Sequence, residues 1–252
     1  MAAIYPDLQG KVVLVTGGGS GIGEAIVREF ARQKAKVVFI DIAVEPSRAV
    51  TKALEQAGTP VHFELCDLTD IPALQRTIAA IRGRLGPIQV LVNNAAHDER
   101  HATQEVTEAV WDSRIAVNLK HQFFCAQAVL PDMKAAGAGA IVNLGSISWM
   151  TGQGGMAAYT ACKSAVLGLT RSLARDYGTF GIRVNAVAPG WIMTQRQLEK
   201  WVTPEGEAEI MARQCLKRQL RPVEVAKFIV FLASEEASAC TSQHYVVDGG
   251  WV

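Results

Sequence analysis

Short apolar runs recur along the chain with no polar residue between their members: Val12-Val13-Leu14-Val15, Val37-Val38-Phe39-Ile40, Val90-Leu91-Val92 and Ile141-Val142. A strand with one wet face alternates apolar and polar positions, whereas an unbroken run belongs to a strand covered on both faces, as in a parallel sheet. Between the runs the period becomes helical. Ile22, Ile26 and Phe30 fall four apart, and Leu74, Ile78 and Ile81 mark one face of a later helix. Val61 to Leu65, Val184 to Val187 and Tyr245 to Val247 read as further strands, about seven in all. Longer helical stretches run around Ala109 to Met133 and Tyr159 to Tyr177. Alternating strands and helices with right-handed crossovers give an α/β fold, a doubly wound parallel sheet with helices on both faces. Ligands of such sheets bind beyond the carboxyl ends of the strands.

No repeat or linker breaks the alternation, and 252 residues with 49% hydrophobic content suffice for one core, so residues 1–252 read as a single domain. The rhythm lapses only from about Trp191 to Gln219, a polar stretch with Pro204 and Gly206 at its middle. It is too long for an ordinary strand-to-helix connection and reads as helices folded over the ligand crevice as a movable lid. A static surface excursion is the plainer alternative.

Charge narrows the partners. Lys and Arg number 25 against 24 Asp and Glu, a formal charge of +1, which gives no field suited to nucleic acid or an anionic membrane and leaves a small molecule. The five cysteines (Cys66, Cys125, Cys162, Cys215 and Cys240) are odd in number and form no CxxC pair, so neither a disulfide framework nor a metal site is expected. Met1 to Gly10 lacks the basic start and apolar core of a signal peptide, and no apolar run reaches membrane-spanning length, which points to the cytoplasm.

The first strand runs into Thr16-Gly17-Gly18-Gly19-Ser20-Gly21-Ile22-Gly23 and then into an amphipathic helix. Glycines there allow a tight turn and let backbone N–H groups at the positive helix end approach a pyrophosphate. The spacing departs from GxGxxG, but its place between the first strand and the first helix makes it a dinucleotide signal. Asp41 ends the second strand twenty residues beyond Gly21, near the offset at which a carboxylate accepts from the adenosine ribose. It would repel a 2′-phosphate, and neither Ser20 nor Ile42 supplies a compensating cation, so NAD is favoured over NADP. Asp67 either hydrogen-bonds the adenine amino group or caps the following helix.

Tyr159 and Lys163 stand at i and i+4, on one side of a helix. A free phenol, with a pKa of about 10, is seldom ionised at neutral pH, and a nearby ammonium favours the phenolate. The pair is a candidate general base. Thirteen residues before the tyrosine, Ser146 follows the strand Ile141-Val142-Asn143 and offers a hydroxyl to the substrate oxygen.

The segments Thr16 to Gly23, Asp67-Leu68, Asn93-Asn94-Ala95-Ala96, Asn118, Ser146, Tyr159/Lys163 and Pro189-Gly190 occur in the order of the short-chain dehydrogenase/reductase family. The chain resembles that family from Gly10 to Asp248-Gly249-Gly250. The resemblance implies a Rossmann-like sheet and roles for single residues. Tyr159 would be the base, Lys163 would hold the nicotinamide ribose and tune the phenol, Ser146 would polarise the substrate oxygen, and Asn118 would hold a water of the proton relay. Gly17, Ser20, Gly21, Ile22, Gly23, Leu68, Asn93, Asn94 and Ala95 would support the cofactor, and Pro189, Gly190, Ile192 and Thr194 would wrap its nicotinamide end. Ala96 replaces the glycine of the family's NNAG motif. The two long helices resemble those that build family tetramers.

The loop His97-Asp98-Glu99-Arg100-His101 is dense in hydrogen-bonding groups. With the aromatic surfaces of Trp149 and Trp191 it suits a polyhydroxylated ligand, or else it forms an exposed ion network; the residue types alone leave both open. Taken with Gly145 to Met150 and Pro189 to Thr194, it resembles bacterial aldose 1-dehydrogenases of the same superfamily. That likeness implies oxidation of a pentose, hexose or 6-deoxyhexose to its lactone, with His97, Glu99, Trp149, Gln153 and Trp191 reading the sugar. Two competing expectations are a dehydrogenase of another alcohol, such as a polyol or a 3-oxoacyl thioester, and a nucleotide-binding scaffold without chemistry.

Overall fold

The β-branched runs pair as β1 (Val12–Thr16), β2 (Lys36–Asp41), β3 (His62–Leu65), β4 (Ile88–Asn93), β5 (Gly139–Leu144), β6 (Ile182–Pro189) and β7 (His244–Val247). In the computed structural model, which describes residues 3–252, they form one sheet in the order β3-β2-β1-β4-β5-β6-β7, every pair parallel. All five residues of β1 are buried, whereas β3 and β7, at the edges, are partly exposed. That difference explains why the central strands read most clearly in the sequence.

The helices are α1 (Gly21–Arg32), α2 (Val44–Gln56), α3 (Ile71–Leu85), α4 (Glu108–Ile115), α5 (His121–Ala136), α6 (Ala157–Tyr177), α7 (Gln195–Lys200), α8 (Pro204–Arg213) and α9 (Pro222–Ala233). Successive strand residues face opposite sides, so the sheet carries two cores. Val13, Val15, Val37 and Phe39 pack with Ile26 and Phe30 of α1 and Ile229 of α9. Val12, Leu14, Val38 and Ile40 pack with Leu74, Ile78 and Ile81 of α3 and Val129 of α5. Each side chain so buried stabilises the fold by roughly 1.5–3 kcal/mol, most of it offset by the entropy of ordering the chain.

After β3 the chain returns to lay β4 beside β1. The reversal parts the connections on the two faces and opens a crevice at the carboxyl ends of these strands. The long helix expected around 109–133 is α4 and α5 joined by a π-helical turn, Ala116–Lys120, with the buried Asn118 at its middle. Such widened turns cluster at functional sites. The stretch 191–219 supplies α7 and α8, capped by Thr194 and Thr203, and a parallel bridge from Ile192 to Leu220 closes its base. Among the described residues no helix is long and apolar enough to cross a membrane, and no cluster of His, Cys, Asp or Glu is arranged to hold a metal.

Candidate active site

At the end of β1 the glycine-rich turn is clamped from three directions. Gly17 adopts φ +70°, and a Cβ there would stand 2.8 Å from the Ala95 Cα. A Cβ on Gly18 would lie 2.6 Å from the Phe39 ring, and one on Gly19 2.6 Å from Ser47 Oγ. Asn94 Nδ2 donates to the carbonyls of Thr16 (3.0 Å) and Gly17 (2.9 Å), while Thr16 Oγ1 accepts from the N–H groups of Asn94 and Ala95, both at 3.0 Å. Asp41 completes the clamp. Its Oδ2 accepts from Gly19 N at 2.8 Å and its Oδ1 from Ala43 N at 2.9 Å.

Ser20 stands at the N-cap of α1, but its side chain makes no cap hydrogen bond, so the helix opens with unsatisfied N–H groups beside the crevice. Four orphan donors and the positive end of the helix dipole form an anion site, and the glycines let a diphosphate approach it. A crevice of about 590 Å³ runs from this turn, past Asp41, Asp67 and Leu68, to Ser146, Tyr159 and Lys163. Its size lies within the about 300–1,000 Å³ usual for small-molecule sites. These residues fit a dinucleotide.

Most of the expected residues converge on this one cavity. Gly17, Ser20, Gly21, Ile22, Gly23, Asp41, Asp67, Leu68, Asn94, Ala95, Pro189, Gly190, Ile192 and Thr194 line it, as do Ser146, Tyr159, Lys163, Gln153 and Trp191. Capping is excluded for Asp67. Asp70 caps α3 by accepting from Ala73 N, while Asp67 Oδ1 accepts from the N–H and hydroxyl of Thr69, both at 2.8 Å.

Asn93 is a correction. Its side chain is fully buried and donates to Asn143 Oδ1 (2.8 Å) and the Gln122 carbonyl (3.2 Å), bracing β4 against β5 beneath the crevice. Asn118 is another. Its Oδ1 accepts from His97 N at 2.8 Å, and its Nδ2 donates to the carbonyls of His97 and Arg114. Both amide hydrogens are thus engaged by protein. The side chain holds the loop after β4.

Three of the expected sugar readers also lie elsewhere. His97 and Glu99 turn to Arg114 of α4, which contacts His97 Nδ1, donates to Glu99 Oε2 at 2.9 Å and lies 3.1 Å from His101 Nε2. These side chains form the ion network that was the alternative reading of the loop. Trp149 sits beside His244, its ring centroid 6.2 Å away, and outside the lining. The loop residues that do face the crevice are Asp98 and Arg100, joined there by Arg196 and Gln197 of α7 and by Trp251.

At the chemical end, Lys163 is 2% exposed, its Nζ donating to the Leu144 carbonyl at 2.9 Å and lying 5.5 Å from the Tyr159 ring centre. Burial lowers the lysine to about 8. Burial also raises the Tyr159 phenol above its ordinary value, and the Asp98 carboxylate adds to that, while a hydrogen bond with Ser146 opposes it. The sequence expectation was a phenol lowered by its lysine; here desolvation is the largest effect on the phenol and favours its protonated form. His121, fully buried behind the site, is held neutral at about 3 by burial and by the Lys163 charge.

A hydride-transfer site at the switch point of a doubly wound sheet defines the class, and the comparisons agree. Residues 17–252 match a family model described as enoyl-(acyl carrier protein) reductase. The chain belongs to the short-chain dehydrogenase/reductase family, whose enzymes use NAD(P) to act on alcohol carbons. It is 50% identical over 250 residues to the D-xylose 1-dehydrogenase of Caulobacter vibrioides, covering 99% of each chain. It is 46% identical over 247 residues to a probable galactose dehydrogenase of Rhizobium meliloti, covering 98% of this chain and 96% of the other. Among solved structures, a putative gluconate dehydrogenase from Agrobacterium tumefaciens matches with a TM-score of 0.94 at 28% identity, covering 99% of this chain and 98% of that one.

Proposed function

We propose that this oxidoreductase uses NAD to oxidise C1 of an aldose to the aldonolactone. The observation that carries the reading is the junction of Ser146, Tyr159 and Lys163 with a wall of hydrogen-bonding groups, Asp98, Gln153, Arg196 and Gln197, in one crevice. Beyond the bonds that Asp98 makes to Arg196 and Gln197, a steroid or acyl chain would leave the remaining donors and acceptors of this wall desolvated and unmatched, at about 1–3 kcal/mol each. The xylose and galactose dehydrogenases that resemble the chain support the same substrate class. NAD is preferred because Asp41, fixed by the Gly19 and Ala43 N–H groups, would face a 2′-phosphate, and the adjacent Ile42 is neutral.

When bound, the dinucleotide supplies the acceptor for the hydride that leaves C1. Tyr159 takes the proton of the anomeric hydroxyl as that bond breaks, so little charge accumulates on the oxygen, and Ser146 donates a hydrogen bond to what does develop. Lys163, its orientation fixed by the Leu144 carbonyl, would hold the nicotinamide ribose with its positive charge. Asn118 holds the main chain of His97 at 2.8 Å and so fixes the loop that borders the substrate. The 191–219 segment acts as the lid. Trp111 and Phe123, 41% and 42% exposed on α4 and α5, would be covered in a homotetramer built on those helices.

A spectrophotometric panel crossing pentoses, hexoses, polyols and an acyl-thioester substrate with NAD and NADP tests this reading. NADH should accumulate with at least one aldose. Turnover confined to polyols or thioesters would replace the substrate class, and no turnover at all would favour a binding-only protein.

The pH profile follows from the phenol. Because the crevice holds Tyr159 protonated, log(kcat/KM) for oxidation should climb with a slope near one over about pH 6–8, the phenolate being the form that accepts the proton. The climb should give way near 8, where Lys163 begins to lose its charge. A flat profile through neutrality would exclude Tyr159 as the ionising group.

A further inference from the structure

Asp98 is a carboxylate of the crevice lining that also holds the lid. Its Oδ1 accepts from Arg196 Nε at 3.0 Å and its Oδ2 from Gln197 Nε2 at 2.7 Å, both donors rising from α7. The same loop makes a second tie to the lid, with the Arg100 guanidinium 4.5 Å from the centre of the Trp201 ring. On either side of Asp98 the loop is pinned to α4 and the π-helical turn, His97 by Asn118 and Glu99 by Arg114. A carboxylate held this way is preorganised, which is what selective recognition needs.

We propose that Asp98 is the specificity-determining residue of this site, a carboxylate shared between the lid and a substrate hydroxyl remote from the reacting carbon, selecting neutral polyhydroxylated substrates over anionic ones. The proposal rests on the aldose reading above. A carboxylate offers about four acceptor positions and a guanidinium five N–H donors. The lid takes two of the acceptors through one donor of Arg196 and one of Gln197, leaving acceptors and donors side by side for adjacent hydroxyls. The Asp98 side chain is 22% exposed and that of Arg196 39%, so the ion pair itself adds little stability and its value lies in position. Arg100 and Arg196 would attract an anionic substrate if Asp98 did not offset them. Tyr159 and Lys163 of α6 face the same carboxylate, whose charge favours the protonated form of both.

Asp98→Asn keeps the shape, removes the charge and sets an amide NH₂ against the lid donors. With the intact enzyme and saturating NAD, its kcat/KM on D-xylose or D-galactose should fall at least about tenfold, mainly through KM. The ratio of activity on the neutral hexose to activity on the matching hexuronate should fall by a similar factor, while NADH binding, read by fluorescence, stays unchanged. Hydrogen exchange across 195–201 should quicken, and the pH profile should move to lower pH, which loss of packing alone would not do. Arg196→Met should also loosen 195–201 but raise the neutral-over-anionic ratio, since Asp98 is then uncompensated. An unchanged ratio in both variants overturns the proposal while leaving the aldose reading intact. If the wild-type enzyme turns over no aldose, the functional reading fails, and unchanged exchange across 195–201 in Asp98→Asn separately removes the shared carboxylate.

Discussion

Replacement of Tyr159 by phenylalanine is expected to lower kcat for the alcohol substrate by about 10²- to 10⁴-fold, the usual contribution of a positioned general base. The change deletes one hydroxyl and leaves the ring packed near Lys163 Nζ, which keeps its own bond to the Leu144 carbonyl. Dinucleotide affinity and thermal stability should therefore change little, which separates lost chemistry from lost folding. Burial favours the protonated phenol, so its ionisation would have to be favoured by positive charge that a bound oxidised nicotinamide would supply. NADH formation in a stopped assay, with NADH fluorescence as the binding control, measures both halves. Activity above about a tenth of wild type would place the base on another residue.

The fold was legible because burial on both faces of the sheet leaves an imprint on the one-dimensional pattern. Val12 to Val15 and Val37 to Ile40 could not form wet strands, and the structure buries all of them. Residues whose roles depend on backbone position were legible for the same reason, since the end of a strand fixes where Asp41, Ser146 and the glycine turn must sit. Side-chain direction was not. Asn93 and Asn94 are neighbours of identical chemistry, yet one braces the sheet and the other holds the glycine turn. His97, Asp98 and Glu99 all have suitable chemistry, and only the course of the chain between β4 and α4 decides which enters the crevice. The π-helical turn at Ala116–Lys120 leaves no such imprint, because no glycine or proline marks it between α4 and α5. For the Tyr159 phenol, spacing reports the nearby ammonium and is silent on desolvation, which is the largest effect on it.

Gly23 is where one added methyl group should do the most damage. A Cβ there would lie 1.7 Å from the Gly17 carbonyl oxygen and 2.6 Å from Asn94 Nδ2, the group that ties the glycine turn to β4. Neither obstacle is the loose end of a flexible side chain, so Gly23→Ala must move α1 away from β1. That motion breaks the Asn94 bonds to Thr16 and Gly17 and displaces the open helix terminus from the site of the pyrophosphate. Overpacking of this kind costs about 1–3 kcal/mol or more, and a domain of this size loses roughly 2–4 °C of Tm per kcal/mol. Dinucleotide affinity should fall further, at least about tenfold, because the donors no longer converge. Gly83→Ala is the matched control. Gly83 is exposed within α3 with nothing within 4 Å of the added carbon. Glycine inside a helix is worse than alanine by roughly 0.5–1 kcal/mol, so that variant should gain stability and bind NADH normally. Equal Tm and equal NADH affinity in the two variants would mean that the close approach of α1 to the glycine turn does not govern cofactor binding.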